Sequence, residues 1–306
     1  MVELSSYKRI VIVLLILWTT IGRGQNYLDL FKIGYGHTFN NTFEGSSGST
    51  NVSMIETNLT LPIVLNSNNT IISGLIFSKN RLHLFPSENG ESAPFTNLYS
   101  TTLKLGIQSS FNDKWSMTLI MLPKIASDYY KISSNDFFLG GIGILKMKKK
   151  DNLFYRFGVY SSSEAFGFYT TPIIGWYSLS KNKKFEMDMF LPISADINYT
   201  QGHFTYGFSY FGIGRSFNIE QNDSNQYVQL GSLEFSGYLQ FNNLFKNVLV
   251  RAKLGYSSDD YELHDYGDKI GFGFIAFNFD DNRMQLNPKI KGSAYFKLEL
   301  VYRLSL

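Results

Sequence analysis

Cysteine is absent from the 306 residues of this chain, and its absence narrows the ways in which the protein can be stabilised. No disulfide can form and no lipid can be attached to a cysteine, so an exported protein of this composition needs another source of stability. The net charge is only +3 and is spread along the chain, which gives no basis for nucleic-acid binding. Beyond the first segment, no apolar run approaches the roughly 20 residues of a membrane-spanning helix.

Histidine is also scarce, and the few histidines form no recognisable metal-binding motif. Without cysteine, a zinc site would need histidines together with carboxylates, and no H-E-x-x-H or comparable spacing occurs. The glycines at 140, 141 and 143 lie in a strand pattern and lack the strand-to-helix context of a phosphate-binding loop. The sequence therefore predicts no metal and no cofactor. The four histidines are His37, His83, His203 and His264.

The N-terminal segment has the pattern of a secretory signal peptide. Lys8 and Arg9 precede an apolar run over residues 10–18, and small residues up to Gly24 follow. The run is about half of the ~20 residues that a spanning helix needs, so a membrane anchor is the weaker alternative. We expect residues 1–24 to be the signal peptide and cleavage to fall near Gln25.

The C-terminal segment has a strict alternation of apolar and polar residues, which is typical of a strand with two different faces. A transmembrane barrel places the apolar face in lipid and the charged face in its lumen. One face carries Phe296, Leu298, Leu300, Tyr302, Leu304 and Leu306, and the other carries Lys297, Glu299, Val301, Arg303 and Ser305.

Similar alternation recurs along the rest of the chain, and no linker divides it. Aromatic residues make up 16% of the sequence, yet the mean hydropathy is only −0.10. A barrel reconciles these values, because half of each strand is polar and aromatic side chains gather where lipid meets water. We expect residues 25–306 to form one all-β domain, a transmembrane antiparallel up-and-down β-barrel of about 12–14 strands.

The connections support this topology in the first half of the chain, where long and short segments alternate as they do in bacterial barrels. The second half breaks the alternation, with a short segment at 242–246 where a long loop is required and a long one at 257–268 where a turn is required. Twelve strands is therefore an alternative to fourteen. The long segments of the first half are 40–51, 86–95 and 126–135, and the short ones are 66–69, 112–114 and 148–152.

These patterns resemble the uncharacterised outer-membrane barrel families of Gram-negative bacteria, which are known only as domains of unknown function. Residues 271–279 and 280–288 and the terminal strand carry the resemblance, although such barrels usually end on an aromatic residue and this chain ends on Leu306. The resemblance implies location in the bacterial outer membrane, contact with outer-membrane lipid, and recognition of the C-terminal strand by the barrel-insertion machinery. It implies no activity.

Charged residues at inward positions are the main candidate functional residues. In a narrow barrel they would pair and fill the interior, whereas in a wider one they would line a path for small solutes and set its selectivity. From alternation alone, we expect Glu299→Gln to cost much less stability than Leu300→Arg. The candidate lumen-lining residues are Arg156, Glu186, Asp188, Glu234, Arg251, Lys253, Lys297, Glu299 and Arg303.

The leading functional interpretation is a non-enzymatic barrel, either a porin-like pore or a structural surface barrel. An outer-membrane lipid hydrolase is the alternative, because His203 and Thr205 stand two residues apart and would share the lumen face near an outer loop. Thr replaces the usual serine, and the fuller lipase motif is missing. A soluble lipocalin-like binder is a third possibility, against which the apolar face of the terminal strand argues.

Overall fold

The computed structural model describes residues 27–87, 93–221, 224–275 and 277–305. The expected signal peptide and the terminal Leu306 lie outside these residues. Within the described part, no helix is long and apolar enough to cross a membrane. The one helical element is a single 3-10 turn, η1, at Ser134–Asp136.

Nearly all of the described chain is β-strand, and fourteen long strands form the wall of the structure. They are β1 (Tyr27–Thr38), β4 (Ser53–Val64), β5 (Asn69–Leu82), β6 (Thr96–Ser110), β7 (Trp115–Ser127), β8 (Phe137–Lys150), β9 (Leu153–Glu164), β10 (Gly167–Leu179), β11 (Phe185–Leu191), β12 (Ser194–Gln201), β13 (Phe204–Gln221), β14 (Ser224–Phe245), β15 (Val248–Ser257) and β19 (Ser293–Ser305). The short strands are β2 (Asn41–Thr42), β3 (Ser49–Thr50), β16 (Asp260–Asp265), β17 (Phe272–Phe274) and β18 (Phe277–Phe279).

The wall closes on itself through its first and last strands. Each wall strand pairs antiparallel with the next, and β1 pairs antiparallel with β19 from Tyr27–Ser305 to Thr38–Tyr295. The connected sheet has 17 strands, and fourteen remain when the short β16, β17 and β18 are set aside. The prediction of an up-and-down barrel is confirmed, with the larger of the two strand numbers.

The alternation of the terminal strand separates the two faces of the wall as expected. Its apolar residues from Phe296 to Tyr302 are 39–46% exposed on the outer surface, whereas Lys297, Glu299 and Val301 are at most 4% exposed. A soluble barrel would have the opposite distribution, with polar residues outside. The apolar residues at outward positions of the other strands are also exposed, so the outer surface of the wall has an apolar covering.

The two ends of the barrel differ in their connections. Short turns join the strands at the end where β1 begins and β19 ends, which we call the terminal mouth. At the opposite end, the distal mouth, the connections include residues 39–52, 83–95, 128–136 and 258–292. The alternation predicted from the first half of the chain is therefore present.

In the second half, the two segments that broke the alternation were assigned to the wrong ends. Residues 242–245 complete β14 and lead into the turn at 246–247 of the terminal mouth, and 258–268 begin the longest distal connection. The error arose because the distal connections at 165–166 and 192–193 contain only two residues each. Turns this short leave no loop-like stretch in the sequence.

The β13–β14 hairpin is longer than its neighbours and crosses the distal mouth. Its strands have 18 and 22 residues, and above Phe211 the hairpin leaves the wall. Arg215 Nη1 donates to Ser78 Oγ of β5 at 2.8 Å, and Asn218 forms a parallel bridge with Ser127 of β7. Neither β5 nor β7 neighbours β13 in the wall, so this segment, residues 212–231, spans the opening. We call it the plug hairpin.

An apolar core packs around the plug hairpin rather than in the middle of the barrel. The hairpin contributes Phe217, Ile219, Tyr227, Val228 and Leu230, all buried. The distal connections and the distal ends of the wall strands supply the remaining members. These are Phe43, Val52, Met54, Leu82, Leu84, Leu98, Ala126, Phe138, Ala165, Phe166, Tyr261, Leu263, Ile270 and Ile290. The distal mouth is therefore closed by a packed hydrophobic layer.

The outward apolar covering gives a test of which face meets lipid. Leu300→Arg places a charge on the outer face of β19, and we expect it to lower the free energy of unfolding by about 2–4 kcal/mol near the bilayer midplane. The control is Gln108→Arg, which puts the same side chain on an inner face beside a cavity and should cost much less. Unfolding titrations in lipid vesicles measure both changes, and equal costs would contradict the inside–outside assignment.

Candidate functional site

A network of charges fills the barrel interior beside the terminal strand, and Glu299 is at its centre. This carboxylate is 1% exposed and lies between three cations from neighbouring strands. Its oxygens lie 3.4 Å from Lys253 Nζ, 3.7 Å from Arg251 Nη1 and 3.8 Å from Lys32 Nζ. A buried charge is tolerated only when it is paired, so Glu299 depends on these cations and Lys253 depends on Glu299.

Lys297, a fourth inward cation, and further contacts of Arg251 extend the network to other strands. Lys297 Nζ lies 2.6 Å from a carboxylate oxygen of Glu56 and 3.6 Å from one of the buried Glu234, both on the inside of the wall. Arg251 also donates to the side-chain oxygen of Gln240 at 2.9 and 2.7 Å, and its Nη1 lies 3.7 Å from Asp196 of β12. The network therefore joins strands on both sides of the β1–β19 closure.

The remaining lumen candidates make smaller, separate pairs. Arg156 of β9 forms an ion pair with Asp188 of β11. Arg303 Nε donates to Asp29 at 2.5 Å next to the terminal mouth. Glu186 accepts a hydrogen bond of 2.6 Å from the Tyr27 hydroxyl. The structure thus places all nine sequence-predicted residues on the inner faces of their strands, and each has a charged or hydrogen-bonded partner.

A further charged cluster, which the sequence interpretation missed, holds the plug hairpin to the wall. Lys124 Nζ of β7 lies 2.6 Å from Glu164 Oε1 of β9, and both side chains are buried. The other oxygen, Glu164 Oε2, accepts bonds from the Ser216 backbone N–H at 2.9 Å and from the Ser216 hydroxyl at 2.8 Å. We call these three residues the latch. The inward position of Lys124 is readable from alternation, but its connection to residue 216 is not.

The interior contains cavities above and below this filled zone. Below the plug hairpin is an apolar cavity of about 280 Å³, bounded on one side by Leu122, Tyr160 and Phe211. Near the terminal mouth are two polar cavities of about 310 and 490 Å³, the first lined by residues such as Thr205 and Arg251 and the second by residues such as Gln108 and Lys146. The interior is therefore accessible from the terminal mouth and closed at the distal mouth.

The candidate catalytic pair is not assembled. His203 lies in the exposed two-residue turn that precedes β13 at the terminal mouth, and its Nδ1 is 3.1 Å from Asn243 Nδ2. Thr205 is buried inside the barrel, where its hydroxyl contacts Thr200 at 2.8 Å and Asn242 at 2.9 Å. The expectation that both residues share the lumen face near an outer loop is wrong, because the strand begins after His203.

The other histidines are dispersed and have structural partners. His264 is buried, with Nδ1 2.9 Å from the Met284 carbonyl oxygen, and the remaining two contact Ser53 Oγ and the Pro94 carbonyl oxygen. Within the described ranges, no group of three or more histidine and carboxylate side chains is arranged to hold a metal ion.

One carboxylate of the distal connection has a raised pKa. Burial in β16, with the nearby charge of Glu262, raises the pKa of Asp260 to about 6. The Lys289 ammonium lies 4.0 Å away and opposes this shift. The uncharged form of Asp260 is therefore the one that the folded distal region favours.

Comparison with known families gives one match. Residues 33–257 match the model of a family described as Domain of unknown function (DUF6268), a region that runs from β1 to the last residue of β15. No curated protein matches the chain.

Several solved structures of bacterial proteins resemble the chain at low sequence identity. The P. putida toluene transporter TodX is 8% identical over 92% of this chain and 90% of its own, with a TM-score of 0.39. The β domain of the Bordetella autotransporter BrkA is 9% identical over 90% and 100%, with a TM-score of 0.27. A ferric enterobactin receptor mutant from Pseudomonas aeruginosa is 7% identical over 90% and 59%, with a TM-score of 0.28. Such low scores carry no argument about how this chain works.

The burial of Glu299 reverses the expectation drawn from alternation alone. Glu299→Gln removes the carboxylate shared by Lys253, Arg251 and the half-exposed Lys32, so we expect it to destabilise the barrel by about 3–5 kcal/mol. The matched control is Glu220→Gln, whose pair with Lys131 is exposed and should be worth about 0–1 kcal/mol. Urea unfolding in detergent micelles measures both, and similar small losses would show that the network contributes little.

The raised pKa of Asp260 gives an expectation for pH dependence. Because folding favours the protonated form, its contribution is fully present below about pH 4 and is lost as the pH rises through about 6. Asp260→Asn should therefore match the unmodified protein at pH 4 and exceed its unfolding free energy at pH 7 by about 1–2 kcal/mol. Unfolding measured at both pH values tests this, and a constant difference between the proteins would refute it.

Proposed function

We propose that this chain, which belongs to the family described as Domain of unknown function (DUF6268), is a non-enzymatic outer-membrane channel that the plug hairpin holds closed. The observation that carries the proposal is the path of residues 212–231 across the distal mouth. A barrel with an accessible terminal mouth and a separately folded closure has the parts of a gated pore.

The outer surface supports a location in the bacterial outer membrane. Closed barrels are the β-structures that span bilayers, because every backbone group of the wall finds a partner within the sheet. The apolar outer covering, the polar interior and the short turns beside both termini are features of outer-membrane barrels. By the same comparison, the terminal mouth faces the periplasm. A soluble lipocalin-like binder would need a polar outer surface.

The joint between the plug hairpin and the wall supports movement of the hairpin as a unit. Gly214 and Gly231 pair with each other across the hairpin, close to where it leaves the wall. A Cβ atom at Gly231 would meet nothing within 4 Å, and one at Gly214 would barely touch Tyr169. Few side chains are therefore packed at this joint, and beyond it the latch, the bridge between Asn218 and Ser127, the pairing with β16 and the apolar core hold the hairpin in place.

The charged interior would determine the size and charge of the solutes that an open channel passes. With the hairpin displaced, a solute would still encounter the Glu299 network, which contains both signs of charge and leaves little space. Small discrete conductances with weak ion preference are therefore expected.

Planar bilayers test the gate. The unmodified protein should be closed for most of the recording, whereas Glu164→Gln weakens the latch and should increase the open fraction at least tenfold. A matched control is Glu262→Gln, a carboxylate outside the latch that should leave gating unchanged.

Cysteine substitution provides a second test in a chain with no native cysteine. Ser127→Cys with Asn218→Cys, at paired positions, should lock the Glu164→Gln channel closed until a reductant is added. If removal of the hairpin residues 216–229 produces no conductance, the channel proposal fails. The filled interior around Glu299 would then favour a closed structural barrel that displays its distal connections.

A further inference from the structure

The barrel wall has a notch where two of its strands are short. Strands β11 and β12 have 7 and 8 residues, whereas the flanking β10 and β13 have 13 and 18. β10 pairs with β11 only from Ile174 towards the terminal mouth, and β12 pairs with β13 only as far as Phe211. Above the turn at residues 192–193, no strand among the described residues pairs with both β10 and β13.

The flanking elements leave this notch open below the distal connections. β13 bends inward from Gly212 to become the plug hairpin; its Ser216 N–H bonds to Glu164 of β9, and a Cβ at Gly214 would lie 3.9 Å from the Tyr169 hydroxyl of β10. The edge of β10 is paired again only at Tyr169 and Thr170, where β17 lies beside it. The opening is bordered by residues 171–173, 192–193 and 212–214, with β17 above. We call it the wall window.

The apolar cavity below the plug hairpin extends to the wall window. Its lining includes Ile193, Phe211, Gly212 and Gly214, which all border the opening. Its inner part is formed by Ile76, Leu122, Ile142, Tyr160, Tyr169 and Phe190. With a volume of about 280 Å³, the cavity is close in size to the small-ligand pockets of proteins.

The outer surface beside the window is aromatic. The β17–β18 hairpin exposes Phe272, Phe274, Phe277 and Phe279, and the Phe272 ring stacks on Phe168 of β10 with centroids 6.1 Å apart. Exposed phenylalanines at this height of a barrel contact membrane lipid rather than water. An apolar molecule dissolved in the bilayer would therefore reach the window without crossing an aqueous layer.

Two cations, Arg215 and Lys124, lie at the edge of this apolar cavity. Arg215 lines it, and its Nη1 donates to Ser78 Oγ at 2.8 Å. In the part of the chain that the structure describes, no carboxylate lies within 4.0 Å of this guanidinium, in contrast to Lys124 beside it. An apolar cavity with a guanidinium that lacks a bound carboxylate complements a molecule with an apolar body and one acidic group.

We propose that the cavity binds a small amphipathic carboxylate that is admitted from the membrane through the wall window. This inference rests on the membrane location given under the proposed function, but it does not require the plug hairpin to open. The apolar body would lie among Leu122, Ile142 and Phe190, and the carboxylate would bind Arg215.

Radiolabelled decanoate, with decanol as its uncharged counterpart, tests the site by equilibrium dialysis against barrel-containing nanodiscs and empty nanodiscs. The unmodified barrel should bind both saturably. Gly214→Phe fills the cavity and should reduce binding of both at least tenfold, because its Cβ would point to Tyr169. Arg215→Gln should weaken decanoate about tenfold and leave decanol unchanged.

Two matched controls and a folding check accompany these variants. Gly237→Phe adds the same ring on the outer face, where a Cβ has only ordinary contact with Phe208, and Arg81→Gln removes a charge from the outer surface. Both should bind as the unmodified protein does. The heat-dependent shift in gel migration shows whether each variant is folded. If Gly214→Phe fails this check, Gly214→Leu replaces it.

The route of access is tested with the plug hairpin locked. In the Ser127→Cys, Asn218→Cys protein, decanoate should bind equally fast before and after reduction, because the window is lateral. Binding that requires reduction would overturn the lateral route, and absence of saturable binding to the unmodified barrel would overturn the site. Neither result depends on bilayer conductance, so failure of the channel proposal remains distinguishable from failure of this one.

Discussion

Closure of the sheet by β1 and β19 is the constraint on which the other features depend. In a bilayer no water can satisfy an unpaired strand edge, so the first and last strands must meet with matching hydrogen bonds. They pair over almost their whole length, from Tyr27 with Ser305 to Thr38 with Tyr295. Once the wall is closed, alternation assigns every second side chain to a confined interior. Charges that a soluble protein would expose must then pair with opposite charges inside the barrel. Glu299 pairs with Lys253, and Lys297 pairs with Glu56.

Inside the barrel, ion pairs rather than apolar contacts hold the inward side chains. The apolar core lies at the distal mouth. There the plug hairpin brings Phe217 and Tyr227 against residues of the distal connections. The latch joins the two regions, because Glu164 pairs with Lys124 in the wall and accepts bonds from Ser216 of the hairpin. The division gives a wall held by ion pairs and a closure held by the apolar core, the latch and the pairing of β14 with β16.

Alternation along each strand was sufficient to predict the barrel, the inner faces and the nine inward charged residues, because in a β-strand the side-chain direction follows from position alone. It could not predict the pairing of those charges. Glu299 looked tolerant of substitution because alternation does not give the strand register that places Arg251 and Lys253 of β15 and Lys32 of β1 beside it. The plug hairpin was hidden for a similar reason. β13 continues the strand pattern beyond Phe211, and only tertiary contacts show that it leaves the wall. In the second half of the chain, the distal turns at 165–166 and 192–193 contain only two residues each, so the sequence shows no loop where these strands end.

The short β11–β12 hairpin also has a consequence for the surrounding lipid. On this side the wall ends near residues 192–193, so its apolar height is lower than that of the strands across the barrel. Beside it, the edges of β10 at 171–173 and of β13 at 213–214 present backbone groups without a wall partner, whereas the Gly212 N–H donates to the Ile193 carbonyl oxygen at 2.8 Å. Acyl chains cannot solvate such groups, so headgroups and water should descend towards them and the bilayer should be thinner here. The bilayer would then be thinned on one side of the barrel only, always beside β11 and β12.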